Sequence, residues 1–338
     1  MIKVLVVRCG ALGDLIYATS IIDALKFEYG ENTVIDFVAT PGSGALFRKD
    51  PRVRHVFLLK HKKIPIFLSK EKRAIIAASK KEPYDILVNL EFGKQFQPLT
   101  RAIYAHKKID PLEQNSTLQS LVQHSVDIIK HLYKNIVSQE VLERSFPRLI
   151  GTDAKEVQKL YDLPEKYLII SPSNSHQKKN RLNYRAWENH KWQALIKRLH
   201  TKIPIIIIGG KGEEKFFEKL LPYPEGVIDL VGKTSLPDLI GIISGARALV
   251  ATDTGTAHMA SATNTEVFAL IGPTPASVTG PYQGPSNTVH IISAHLACSP
   301  CYKTPVMQNC TDNLCMKQIS VEIVAEAIET SLKKDLNQ

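Results

Sequence analysis

The sequence predicts an α/β protein made of two doubly wound halves with parallel sheets. Three observations carry this expectation. Short apolar runs recur along the chain, separated by segments with helical spacing, the pattern of strands covered by helices on both faces. The alternation stops in a polar stretch near residues 136–166 and then begins again. In both halves the apolar runs end in glycines and small polar residues, at the strand ends where open parallel sheets bind ligands. With 338 residues, 44% of them hydrophobic and 22% charged, each half is long enough to bury its own core.

In the first half, IKVLVV (2–7) is a buried strand. Residues 14–29 come next, with Leu15, Ile16, Thr19, Ile22 and Leu25 at helical spacing. TVIDFVA (33–39), VRHVFLL (53–59) and YDILVNL (84–90) are further strands, with a basic segment, KHKKIPIFLSKEKR (60–73), after the third. Leu118, Leu121, Val126, Ile129 and Leu132 predict an amphipathic helix over 117–134. The boundary between the halves is placed at 160/161. The second half continues with strands in YLIISPS (167–173), IPIIIIGG (203–210), GVIDLVG (226–232), ALVATDTG (248–255) and TEVFALIGPT (265–274). Helices are predicted over 186–200, in GEEKFFEKLL, in SLPDLIGIISGA, over 257–263 and over 320–334. The halves are therefore two Rossmann-like domains, 1–160 and 161–318, with a final helix in 319–338.

No run of 18 or more apolar residues occurs, so no transmembrane helix is expected. KVLVV is too short for a signal-peptide core, and Arg8, Gly10 and Asp14 prevent its extension. It is taken as the first strand of a cytoplasmic protein. The net charge of +10 suits an anionic partner, whether a nucleotide, a nucleic acid or an acidic membrane surface, or simply a solubilising surface.

The polar clusters at strand ends are the candidate chemistry. RCGALGD (8–14) places Asp14 behind two glycines, where it can cap a helix or take a proton from a substrate hydroxyl. In TDTGTAH (252–258), Gly255 lets backbone approach a ligand closely. Thr254 and Thr256 bring hydroxyls, the amides beyond suit phosphate, and His258 lies one turn in. Asp253 or Thr254 can equally cap the next helix. GGKGEE brings Gly210 and Glu213, a ribose contact or a favourable charge in a first helical turn. SPSNSHQKKNR offers Ser171, Ser173 and Ser175 with Lys178, Lys179 and Arg181, and Arg185 lies just beyond. These bases can bracket a diphosphate or belong to a solvated loop. No D-x-D occurs, so a divalent metal held by such a motif is not indicated. Cys298, Cys301, Cys310 and Cys315 have the ligand count for tetrahedral zinc but the spacing of no common finger. Reduced structural thiols are the preferred reading.

Gly10–Ile16 (G-x-x-G-D-L-I), Asp253–His258 (D-T-G-T-A-H), Ala269–Thr274 (A-L-I-G-P-T), Arg185–Trp192 (R-A-W-x4-W) and Cys298–Cys301 (C-S-P-C), spread along nearly the whole chain, resemble the lipopolysaccharide heptosyltransferases, glycosyltransferase family nine. The resemblance implies a GT-B fold, two Rossmann-like domains facing each other across a cleft, with the last helix packing back on the first domain. It implies inverting, metal-independent transfer of a heptose or related sugar, usually from ADP-heptose, to an anionic lipid inner-core acceptor. It implies no cofactor, no nucleic-acid partner, and work at the cytoplasmic face of the inner membrane. Asp14 falls on the family's general base. Asp253, Thr254, Gly255 and His258 fall on the segment that holds the diphosphate and sugar, and Arg185 on a lysine that contacts phosphate. Ser173, Ser175, Gly210 and Glu213 join the donor site. Thr234, Ser235 and Leu236 stand where the family places a small or hydrophobic side chain beside adenine. Gly13, Lys60, Lys62 and Lys63 are the acceptor-side candidates. Another sugar nucleotide, or epimerisation of one on the same fold, is the alternative. A nicotinamide oxidoreductase would want G-x-G-x-x-G after the first strand, where G-x-x-G-D stands instead.

Overall fold

The computed structural model describes residues 1–111, 124–174 and 182–335. The chain divides into two compact units, Met1–Gly151 and Thr152–Gln338. The boundary falls ahead of the expected 160/161 because the end of the polar stretch already belongs to the second unit. Thr152 donates its amide to Pro237 (2.9 Å) and its hydroxyl to Asp238 (2.6 Å). Behind it, Ala154–Leu160 forms a helix that packs on helix Leu236–Ser244.

Among the described residues the first unit holds five parallel strands, β1 (Lys3–Val7), β2 (Val34–Ala39), β3 (His55–Leu58), β4 (Tyr84–Asn89) and β5 (Ala105–Ile109), in the order β3-β2-β1-β4-β5. The apolar side chains of β1 pair with both neighbours, Val4 with Ile35 and with Ile86, and the strand is buried on both faces. The predicted helix 14–29 is two helices, Leu12–Ala18 and Ser20–Tyr29. Thr19 lies at the break. Its hydroxyl donates back to the Ile16 carbonyl (2.6 Å) and accepts the Arg148 amide (3.0 Å), which draws the backbone away from regular α-helix. The predicted helix 117–134 is described only from Ser125 to Tyr133; its earlier part lies outside the described residues.

The second unit holds β6 (Leu168–Ser171), β7 (Ile205–Ile207), β8 (Ile228–Asp229), β9 (Ala248–Thr252), β10 (Glu266–Leu270) and β11 (Val289–Ile292), all parallel. Read from one edge, the order is β8-β7-β6-β9-β10-β11. Renumbered within the unit, this is the 3-2-1-4-5-6 order of a doubly wound dinucleotide fold. In each sheet the first strand and the fourth lie side by side, β1 with β4 and β6 with β9, so connections leave in opposite directions there and open a crevice at the carboxyl ends.

Trp187 and Trp192 of the R-A-W-x4-W segment are fully buried and meet edge to face at 4.8 Å, anchoring helix Asn189–Leu199. The final helix, Val321–Asp335, was expected to pack toward the first domain. Its described partners lie in the second unit. Val324, Ala325 and Ile328 enter the same core as the two tryptophans, and Arg198 and Lys202 clasp Glu329 at 2.8 and 2.6 Å.

Candidate active site

In the first unit the chain leaves β1 through Arg8, Cys9 and Gly10 and enters helix Leu12–Ala18 with Asp14 in its first turn. Residue 11 is alanine, which has no side-chain oxygen to cap the helix. Asp14 fills the need from within, its Oδ2 accepting the Ala11 amide at 2.8 Å. The other oxygen faces Arg8 at 3.2 Å, and Arg8 is held by the Leu90 carbonyl at 2.6 Å. The carboxylate is therefore oriented from two sides while its side chain keeps 44% of its exposure. Glycine is required at position 10, where a Cβ would sit 2.5 Å from Asp14 Oδ2. Gly13 lies inside the helix turn and is half-buried.

β4 ends beside this loop, and Glu91 accepts the Cys9 amide at 2.5 Å. Lys62 donates to the Cys9 carbonyl. Lys62 is thus brought to the Asp14 loop, whereas Lys60 and Lys63 are exposed alongside. The basic segment is fixed by Lys72, a buried lysine whose ammonium donates to the carbonyls of Lys62 (2.8 Å) and Ile64 (2.7 Å). Arg8 and Glu91 were not singled out from sequence as site residues. Both stand at the end of an apolar strand, the signal that marked the other candidates.

In the second unit the candidates gather at the carboxyl ends of β6, β7 and β9. Ser173 donates to Glu213 Oε2 at 2.7 Å, and the Gly210 amide donates to the same oxygen at 2.7 Å. Across the switch point, Ser171 and Thr256 share a hydrogen bond of 2.8 Å, tying β6 to the turn after β9. Thr254 caps helix Gly255–Ser261, its hydroxyl accepting the Thr256 amide at 3.4 Å. Capping does not preclude a ligand contact here, since a hydroxyl that accepts one amide keeps its own proton.

Asp253 is the buried charge of this cluster. Burial would raise its carboxyl, but the neighbouring His258 imidazole, the charge of Arg185 and the nearby Thr274 hydroxyl outweigh that and hold it below the usual carboxylate range. His258 Nε2 lies 3.7 Å from one carboxylate oxygen and Arg185 Nε 3.3 Å from the other. Arg185 also reaches the Asp253 carbonyl through Nη1 at 3.4 Å. A buried carboxylate facing an arginine and a histidine is a charge-balanced wall, and the arginine keeps further N–H groups with which to meet an anion.

Thr234, Ser235 and Leu236 come after β8, on the turn whose Gly232 amide donates to Gly209 at 3.0 Å, next to the Gly210 loop. Ser235 caps helix Leu236–Ser244, accepting the Asp238 amide at 3.3 Å and donating to that carboxylate at 2.7 Å, so its hydroxyl is engaged. Ser175, Lys178, Lys179 and Arg181 lie outside the described residues. The four clustered cysteines are free thiols, and among the described residues no three His, Cys, Asp or Glu side chains converge as metal ligands. Burial pushes the Cys315 thiol up to about 11 and raises that of Cys301.

Residues 114–311 match the glycosyltransferase family 9 (heptosyltransferase) model, a stretch that includes every described donor-side candidate. Lipopolysaccharide heptosyltransferase 3 of Escherichia coli is 22% identical over 291 residues, covering 78% of this chain and 81% of that one. Two solved structures share the fold along almost the whole length. The glycosyl transferase family 9 protein of Veillonella parvula superposes with a TM-score of 0.77 at 17% identity, covering 98% of this chain and 97% of its own. The E. coli ADP-heptose LPS heptosyltransferase II superposes with a TM-score of 0.76 at 18% identity, covering 99% of each chain. The fold is GT-B, and the chain, a glycosyltransferase, belongs to glycosyltransferase family 9, the heptosyltransferase family.

Proposed function

We propose that this protein transfers a heptose, or a related sugar, from ADP-heptose to an inner-core lipopolysaccharide acceptor, with inversion and without a metal. One observation carries the donor side. Ser173, Gly210, Glu213, Asp253, Thr254 and Arg185 assemble at the crevice of the second sheet, inside the stretch that matches the family. Two of the E. coli proteins similar to this chain are named for lipopolysaccharide and for ADP-heptose.

Glycosyl transfer develops positive charge on the sugar and negative charge on the departing diphosphate. Arg185 and the amides that open helix Gly255–Ser261 hold the leaving oxygens. His258 and Asp253 keep Arg185 and the turn in place. Glu213, set by Ser173 and Gly210, takes a ribose hydroxyl. Thr234 and Leu236 border the base. Asp14 accepts the proton of the acceptor hydroxyl, its carboxylate steered by Arg8 and the Ala11 amide.

The acceptor side is basic. Lys60, Lys62 and Lys63 meet an acidic acceptor. Beside them Phe67 and Leu68 stand 71% and 64% exposed, flanked by Lys70 and Arg73. Apolar side chains ringed by cations suit the anionic cytoplasmic face of the inner membrane. Among the described residues no helix is long and apolar enough to cross a membrane, so contact of this kind is peripheral.

Incubation with ADP-heptose in the presence and absence of a lipid-core acceptor tests the reading. Release of ADP that depends on the acceptor and persists in EDTA supports it. Release without acceptor, or an epimerised sugar nucleotide, supports the alternative chemistry. Turnover only with UDP- or GDP-linked sugars replaces the donor.

A further inference from the structure

We propose that the segment after the last strand of the second sheet, residues 298–319, is a positioning device for Arg185, with Tyr302 as its main contact. This rests on the reading of Arg185 as the cation that holds the donor diphosphate.

The guanidinium of Arg185 lies over the Tyr302 ring, Cζ 5.0 Å from the centroid. Asp253 stands 3.3 Å from its Nε, yet neither that buried nitrogen nor the facing carboxylate oxygen completes a hydrogen bond. Nη1 makes a single long hydrogen bond to the Asp253 carbonyl at 3.4 Å, so the group is oriented by that bond, by charge and by the aromatic face rather than by a hydrogen-bonded fork. A ring attracts a guanidinium without consuming its N–H groups, which leaves them for phosphate oxygens. Lys303 lies over the same ring at 5.2 Å, so two cations share one aromatic group, and an anion of high charge would relieve their mutual repulsion.

Tyr302 is itself held. The amides of Cys301 and Tyr302 both donate to the Pro273 carbonyl at 2.9 Å, and Ser299 donates to that of Gly272. The same segment grips the chain on both sides of Arg185. Tyr184 donates to the Cys310 carbonyl at 3.3 Å, and Trp187 to that of Ile319 at 2.9 Å. Buried Asn313 donates to the carbonyls of Asn183 (3.3 Å) and Ala186 (3.1 Å). Contacts spread along this segment, from Tyr302 to Ile319, thus converge on residues 183–187 around one arginine. A segment that only closed the domain would have no reason to concentrate there.

The test uses the full chain and ADP as the probe. ADP affinity by calorimetry and the KM for donor are measured for Tyr302→Leu, Tyr302→Phe, Arg185→Ala and the double variant. Melting temperature checks the fold, and Tyr302→Met serves if the leucine variant does not fold. Tyr302→Leu is expected to weaken ADP and raise donor KM about two- to tenfold, the range of one cation–π contact, while Tyr302→Phe keeps the ring and stays near wild type. In the Arg185→Ala background, loss of the ring should add nothing. Wild-type affinity in Tyr302→Leu, with Arg185→Ala weakened, overturns this proposal alone. So does an equal loss from Tyr302→Leu with or without the arginine. Wild-type affinity in Arg185→Ala removes the diphosphate reading itself, and this inference with it.

Discussion

At the scale of single residues, Asp14 shows that a cap and a catalytic candidate need not be alternatives. One oxygen answers the Ala11 amide and the other Arg8, which fixes the carboxylate in one orientation. Replacing it by alanine should lower turnover by about 10²–10⁴, the range of a lost general base, with the circular dichroism spectrum unchanged. Wild-type turnover in that variant would leave Asp14 as a cap. Much of the candidate site at this scale was legible, because a polar residue just after an apolar strand has few structural reasons to be there. That rule singles out Asp253, Thr254, Ser173 and Glu213, which the structure places at the carboxyl ends of the second sheet. Arg8 and Glu91 obey the same rule. Tyr302 was not legible, because the signal that finds it is a contact with a residue more than a hundred positions earlier, which no local pattern encodes.

At the scale of elements, the strands that sit in continuous apolar runs were the readable ones, since such runs leave little choice. β5 and β11 were missed. β5 reads AHKKI, with His106, Lys107 and Lys108 exposed, and β11 reads VHII with mixed exposure. Among the described residues each lies at a sheet edge, as β3 and β8 do, but β3 keeps the apolar run VFLL, whereas His290 breaks β11 and His106, Lys107 and Lys108 break β5. The split of the first helix was missed for a different reason. Its apolar spacing runs on across the break, and only the tertiary partner of Thr19, the Arg148 amide, shows where the backbone turns. The final helix carries its own test. Hydrogen bonds from Arg198 and Lys202 lower the Glu329 carboxyl from 4.5 to about 2. A depressed carboxyl contributes stability above its unfolded value and loses it as pH falls through the folded one. The melting temperature of Glu329→Gln should therefore lie below wild type at neutral pH, and the gap should close as pH drops from about 4.5 toward 2. A gap that stays constant with pH would mean that the pair does not hold the helix.

At the scale of the whole molecule, the charge of +10 has a local expression in the segment 60–73, where exposed cations surround Phe67 and Leu68. Flotation with vesicles of anionic phospholipid should recover the protein at low salt, and vesicles of zwitterionic lipid should not. Raising the ionic strength from about 0.01 to 0.15 M shortens the screening length from about 30 to 8 Å and should release most of it. Phe67→Ser together with Leu68→Ser should release more at every salt. Equal recovery on both lipids would remove the membrane reading of this surface.

β5 has a consequence for how the protein behaves when crowded. A strand at the rim of a sheet offers a row of unused backbone donors and acceptors to any passing chain. Here two successive lysines stand on that rim, their ammonium groups turned back onto carbonyls, Lys107 to Asn135 and Lys108 to Thr100 and Arg101. A second rim docking against them would have to bring its own backbone into contact with two fixed positive charges. The lysines that disguise this segment as a loop are thus its protection against templated aggregation, and exchanging them for valine would make the strand easy to recognise and the protein hard to keep in solution.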